Sequence, residues 1–271
     1  MSFKSISLLF IFTGLGACGA KYYYEEASKL EQQGMLLKAA DCYKMFALKN
    51  PGDARAAEAL FKAGEIYSRQ FGLCEKSKPV FEILLKNYAV TPLRASAAKD
   101  LFVCPDYLPV DKPFVWTYGD SETGGANATQ ITRVAEWTSG RPYTLTQIYA
   151  GTTLIAKQKK NYSFSGAALV ETQEGADTIV LKYPVEKGET WESSSGDRKT
   201  RFTVADAGIT VKVLAGEFSG CIKVKQQIEG LPSWVYEYYA PWTGKILTSV
   251  AGKGFENRVT ELIKYEETQK K

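Results

Sequence analysis

Three prolines within nine residues, Pro105, Pro109 and Pro113, divide this 271-residue chain into two stretches with different hydrophobic periods. Each proline fixes φ near −65° and removes a backbone N–H, so the segment reads as stiff and extended, not helical. Before it, apolar residues recur at helical spacing; after it, the period is two. The expectation is an α+β chain: a helical domain over 18–104, a Pro-rich linker over 105–113, an antiparallel β domain over 114–266 and a frayed tail over 267–271.

Ahead of both stretches, Lys4 precedes a run from Ile6 to Leu15 that is apolar apart from Ser7, Thr13 and Gly14. This is the order of a secretory signal peptide, and the run is too short to span a membrane, which takes ~20 residues. Leu15-Gly16-Ala17-Cys18 resembles the lipobox of bacterial lipoproteins at all four positions. The resemblance implies that residues 1–17 are removed and that Cys18 is acylated as the mature N-terminus. Two acyl chains already anchor a protein stably, and this family carries three. Gly19 is not the Asp that retains enterobacterial lipoproteins in the inner membrane, so the expected location is the outer membrane, facing the periplasm. The alternative is a plain cleaved signal with an incidental cysteine.

From Tyr22-Tyr23-Tyr24 to about residue 104 the pattern is helix, short turn, helix. The three tyrosines fit either an interfacial belt beside the anchor or the first core residues of a helix. Asn50-Pro51-Gly52-Asp53 ends the first hairpin, with Asp53 placed to cap the next helix. Ala27 and Ala63 lie 36 residues apart, and Tyr43 and Phe81 lie 38 apart. With Leu30, Ala39, Pro51, Gly64, Tyr67 and Leu84, these positions resemble tetratricopeptide repeats, most closely those of lipoproteins in outer-membrane assembly. The resemblance implies stacked hairpins that dock an envelope protein. An enlarged connection at Phe71 to Ser77, and only two hairpins plus one helix from about Pro92 to Val103, depart from that pattern. The array is therefore expected to be capped by the domain that follows.

Besides Cys18 the chain has Cys42, Cys74, Cys104 and Cys221. An oxidising periplasm permits disulfides. Successive first helices of stacked hairpins run parallel, which places Cys74 near Cys104; a bridge there would contribute roughly 3 to 4 kcal/mol by the chain-entropy model. The alternative is four buried, reduced thiols.

Beyond Lys112, runs rich in Val, Ile, Thr, Tyr and Phe are separated by turn signals at Ser139-Gly140, Ala150-Gly151, Ser165-Gly166, Glu174-Gly175, Ala207-Gly208, Ser219-Gly220, Thr243-Gly244 and Gly252-Lys253-Gly254. This is an antiparallel meander, and some ten strands must curl to be stable. Tyr183-Pro184 to Trp191, Ala215-Gly216-Glu217-Phe218 and Tyr239-Ala240-Pro241 to Gly244 are similar to a β domain of functionally unassigned bacterial lipoproteins. That domain is in turn similar to the curled-sheet lipoprotein carriers and sensors of the periplasm. Trp234, Tyr236 and Tyr238 alternate along one strand and share a face, which Trp116 and Tyr118 of the first strand could join. On a concave face these rings could hold an acyl chain; the alternative is that they are core. Lys157, Lys159 and Lys160 read either as a contact for anionic lipid or as a solvated edge strand.

Histidine is absent, which removes Ser-His and Cys-His nucleophile pairs and every His-ligated metal site. The formal charge of +4 makes no concentrated positive face of the kind nucleic acid requires. Gly119-Asp120-Ser121 reads as a hairpin loop, and Ser96-Ala97-Ala98-Lys99 matches S-x-x-K without its companion motifs. No cofactor, metal site or enzymatic activity is expected. The chain reads as an anchored envelope interaction or assembly factor acting through its helices, with a lipid or lipoprotein chaperone as the alternative.

Overall fold

A computed structural model describes residues 23–138, 141–195 and 198–268. Cys18 and the Ser139-Gly140 turn lie outside them. The chain forms two compact units, one ending at Ala98 and the other beginning at Lys99.

The first unit is built from α1 (Tyr23–Gln32), α2 (Leu36–Lys49), α3 (Ala56–Glu65), α4 (Cys74–Asn87) and the start of α5 (Arg94–Phe102). Consecutive helices from α1 to α4 pack on one another. Small residues make this possible: Ala27, Ala39, Ala59 and Ala63 are fully buried, as are the bulkier Tyr43, Leu60, Phe81 and Leu84. At Gly64 a Cβ would stand 2.5 Å from the Phe81 ring, so only glycine permits this approach. Between α2 and α3, Asn50 Nδ2 donates to Phe46 O, and the Asp53 carboxylate accepts from the Arg55 N–H at the entrance to α3. Tyr23 is buried, and Tyr24 packs edge-on against Tyr43 and Phe46 under the Arg55 guanidinium. Both tyrosines belong to the packing of the helices.

The expected α+β class with tetratricopeptide-like hairpins is overturned. The described chain is mostly antiparallel sheet, twelve strands in a nearly closed barrel, with five short α-helices. Those helices run from nine to fourteen residues. A π-helical turn at Ile66–Gln70 extends α3, and α4 begins at Cys74, inside the stretch expected to be an enlarged connection. The physical reason is that alanine opposite an aromatic ring is what any close contact between short helices requires. The motif residues mark those contacts and do not by themselves specify a stacked repeat.

The second unit holds β1 (Phe114–Asp120), β2 (Ala128–Thr138), β3 (Arg141–Ala150), β4 (Thr153–Ser165), β5 (Ala168–Gln173), β6 (Ala176–Lys182), β7 (Thr190–Ser195), β8 (Arg198–Val213), β9 (Gly216–Ile228), β10 (Trp234–Ala240), β11 (Gly244–Gly252) and β12 (Phe255–Glu267). Their order in the sheet is β6-β5-β4-β3-β2-β1-β12-β11-β10-β9-β8-β7. Two six-strand meanders thus join along β1 and β12, and β6 and β7, consecutive in the chain, stand at opposite edges. A flat sheet of this width would separate its edges by about 50 Å at ~4.8 Å per strand. The residues from Tyr183 to Glu189 that connect them reach at most about 25 Å, so the sheet must curl until the edges meet. There Trp191 Nε1 donates to Ile179 O at 2.8 Å, and Ile179 N donates to Ser193 Oγ at 3.1 Å.

Most of the expected turns close hairpins, with Gly151, Gly166 and Gly175 in the left-handed region. Two differ. Ala207-Gly208 lies inside β8 and Ser219-Gly220 inside β9, where the β8–β9 register shifts repeatedly. Glycines at φ +73° and +72° form bulges there instead of turns. Beyond the bulges, Val211, Val213 and Cys221 pack with Ile246, Leu247 and Leu262 in an apolar cluster. Ala215 N donates to Leu262 O, tying the hairpin down.

The stretch expected to be a linker packs into the barrel. Val103, Tyr107 and Val110 are buried with Tyr162, Leu181, Phe202, Ile222 and Val224. Tyr107 donates its hydroxyl to Gly220 O and its backbone N–H to the Tyr183 hydroxyl, and Trp242 N donates to Asp106 O. The prolines leave this segment non-helical, as expected, but its apolar side chains plug the barrel.

Candidate functional site

The barrel interior holds a cavity of about 210 Å³ that is partly open to solvent. Strand alternation builds its wall: Gln130 and Thr132 from β2, Thr144 and Thr146 from β3, Gln158, Lys160 and Tyr162 from β4, and Glu171 from β5. Opposite stand Gln226 of β9, Glu237 and Tyr239 of β10 and Lys245 of β11. Trp116 and Tyr118 of β1 line it too, with Leu108 and Val110 of the plug. The lumen is therefore polar and charged over much of its surface.

Its charges are paired. Lys245 Nζ lies 2.9 Å from Glu237 Oε1, and Lys160 Nζ lies 2.9 Å from Glu171 Oε1. Glu237 also accepts from Gln226 Nε2 at 2.6 Å and from the Tyr239 hydroxyl, and Glu171 accepts from the Tyr162 hydroxyl at 2.9 Å. Burial acts against the Glu237 charge, yet the Lys245 ammonium and the Tyr239 hydroxyl hold its carboxyl below the ordinary value. Burial likewise opposes the Lys245 charge, but Glu237 holds it above its ordinary value. Burial, then the neighbouring carboxylates, push the Tyr162 and Tyr239 phenols well up. Near neutral pH the Glu237–Lys245 pair is thus ionised and these phenols keep their protons. The remaining polar groups are hydroxyls and amides. Thr132 and Thr146 bond each other at 2.8 Å. Thr144, 3% exposed, has an Oγ1 without a hydrogen-bond partner, beside Tyr162 whose hydroxyl is committed to Glu171.

The five rings proposed for an apolar ligand divide. Trp116 and Tyr118 line the lumen, with their polar tips committed to Thr243 O and Lys245 O. Trp234, Tyr236 and Tyr238 occupy the opposite face of β10 from the lumen residues Glu237 and Tyr239. On that outer face Lys225 sits 3.8 Å from the Trp234 ring centroid and Lys223 sits 3.9 Å from that of Tyr236. Lys223 also pairs with Glu256, which accepts from Ser249 and from the Tyr238 hydroxyl. Lysine stems thus cover part of the aromatic stripe, and Tyr238 is buried in one apolar cluster with Trp116 and Tyr118, against which Tyr236 packs, so these rings are in part core.

The three β4 lysines divide as well. Lys157 and Lys159 are exposed, whereas Lys160 points inward to Glu171. β4 pairs with β3 along Lys157 to Lys160 and with β5 only from Asn161 onward, so the lysines lie on a stretch with one strand partner, as the edge reading has it, while Lys160 alone turns to the lumen. Gly119-Asp120-Ser121 forms the end of β1 and the loop after it. There Thr123 and Ala128 donate to the Asp120 carboxylate and hold it down at about 2. Cys42, Cys74 and Cys104 are disulfide-bonded. Cys221 is a buried free thiol whose pKa burial raises to about 11.

The luminal residues Thr144, Glu171, Glu237 and Lys245 were not singled out in the sequence, and Lys160 was grouped there with two outward lysines. β10 carries large rings on both faces, and β2, β3 and β4 carry polar residues on both. Alternation there separates two faces without marking which is inside.

No protein-family model and no curated protein matches the chain. Two solved structures are similar to part of it. One, from Bacteroides fragilis NCTC 9343, is provisionally described as an exported protein with a YmcC-like fold; it is 12% identical with a TM-score of 0.41, over 60% of this chain and 100% of that one. The other, from Parabacteroides distasonis ATCC 8503, is provisionally described as a lipoprotein; it is 11% identical with a TM-score of 0.38, over 59% of this chain and 98% of that one. Scores this low carry neither fold nor function across.

Proposed function

We propose that the chain is a lipid-anchored protein of the bacterial envelope that acts by binding, without catalysis, and that the barrel is its binding module. The observation that carries this reading is the partly open cavity of about 210 Å³, walled by rings and by fixed hydrogen-bonding groups. Concave sites of this kind, with a few placed polar groups, are where proteins hold small molecules. The lipobox supports the anchor, and Gly19 after it favours the outer membrane. Native mass spectrometry of the full chain, extracted from membranes in mild detergent, tests both parts. The expected mass begins at Cys18, carries three acyl chains and gains a small polar adduct from a periplasmic extract. An unacylated mass overturns the anchor, and the absence of any adduct overturns the binding role. A fatty-acid adduct would instead favour the acyl-chaperone alternative.

A second reading, docking of an envelope protein on the helical unit, is favoured by Leu37, Met45 and Leu48. They share one face of α2 at 37–46% exposure. A photo-crosslinking residue at position 48 is expected to capture an envelope protein in intact cells, and one at the exposed Glu82 of α4 to capture less. Equal or absent capture removes this reading.

A further inference from the structure

We propose that the lumen binds a neutral sugar or polyol the size of one sugar ring. This rests on the reading of the barrel as a binding module and names what it takes. Charge balance is the first argument. Lys160 and Lys245 are matched by Glu171 and Glu237, so a guest with net charge would leave an uncompensated charge in the lumen. The second is the direction of the vacant hydrogen bonds. Glu237 already accepts three donors and Glu171 two. Each ammonium has three N–H donors and commits one to its carboxylate.

Thr144 Oγ1, deeply buried at the cavity wall, makes no hydrogen bond of ordinary geometry, and its polar neighbour, the Tyr162 hydroxyl, is already given to Glu171. A buried polar atom left in that state is costly, and a guest oxygen would relieve it. The site thus lacks acceptors, which hydroxyl-rich molecules supply and which an ammonium-bearing zwitterion could not exchange for. The third argument is the remaining wall. Trp116 and Tyr118 have their polar tips committed elsewhere, so what they add to the wall is carbon, suited to the C–H side of a guest. The volume, about 210 Å³, equals about seven water volumes at ~30 Å³ each, the scale of a single sugar ring.

Isothermal titration calorimetry of the full chain in a sugar-free detergent tests this, with glucose, N-acetylglucosamine, citrate, lysine and palmitate as separate probes. The expected result is saturable binding of at least one of the two sugars. Thr144→Val should weaken it about fivefold, the effect of one neutral hydrogen bond, while Thr144→Ser and the outer-face variant Lys157→Ala stay within twofold. Thr144→Val should also raise the melting temperature of the unliganded protein, because it removes a buried hydroxyl that makes no hydrogen bond of ordinary geometry. Binding of citrate, lysine or palmitate without either sugar overturns the sugar assignment and leaves the binding module standing. Silence from every probe overturns both. Sugar binding that Thr144→Val leaves unchanged overturns the luminal placement.

Discussion

At the scale of single residues, the lumen is organised by one ion pair that neither partner could sustain alone. Glu237 and Lys245 sit in consecutive strands, and each holds the other ionised against burial. Replacing Lys245 with Met leaves the carboxylate with only its Gln226 and Tyr239 donors. The expected loss is about 3 kcal/mol at pH 7, with most of it restored by adding Glu237→Gln. Its pH dependence follows from the shifts. In the native protein the folded pKa of Glu237 is depressed, so its contribution is present above the unfolded value of about 4.3 and is lost as pH falls through the folded value. The folded pKa of Lys245 is raised, so its contribution is full below about 10.4 and is lost as pH rises through the folded value. In Lys245→Met the buried carboxyl loses its chief counter-charge, and the deficit relative to the native protein should shrink on acidification as Glu237 protonates. Urea unfolding at pH 7 and pH 4.5 reads this; an equal deficit at both values would show that lost packing, not charge, dominates.

At the scale of elements, closure depends on the seam between β6 and β7, which is made by side chains where the neighbouring strands use ladders. Trp191 stacks on Phe202 with ring centroids 5.4 Å apart and reaches Ile179 O through Nε1. Trp191→Phe keeps a ring on Phe202 but deletes the donor, at an expected cost of about 2 kcal/mol from the unmet carbonyl and the smaller side chain. Hydrogen exchange should accelerate in β6 and β7 and leave β1 and β12 unchanged; protection unaltered in β6 and β7 would mean that the seam does not depend on this bond. Much at this scale was legible in the sequence. Gly151, Gly166 and Gly175 close the hairpins their dipeptides announce. Gly208 and Gly220 were misread as turns because a bulge and a turn ask the same thing of a residue, a positive φ. Only the pairing of β8 with β9 on both sides of each glycine distinguishes them. Likewise Ala27, Ala63 and Gly64 announce close helix contacts, and nothing local tells whether those contacts stack into a repeating array.

At the scale of the whole molecule, the period-two alternation beyond the prolines, the helical pattern before them and the tetrapeptide ahead of both that resembles a lipobox are properties of local sequence. They determined the kinds of element, most of their ends and the expected cellular address, because helix and strand preferences act over a few residues. The tertiary structure decided which face of each strand is inside. Alternation along β10 gives two faces, Trp234-Tyr236-Tyr238 and Val235-Glu237-Tyr239, both with large rings, and only curling of the sheet makes the second one concave. Closure likewise depends on two strands adjacent in the chain standing at opposite edges of a twelve-strand sheet. The plug shows the same division. The prolines determined that residues 105–113 are not helical, but their burial with strands β4, β6, β8 and β9 depends on a barrel interior that only the assembled sheet provides.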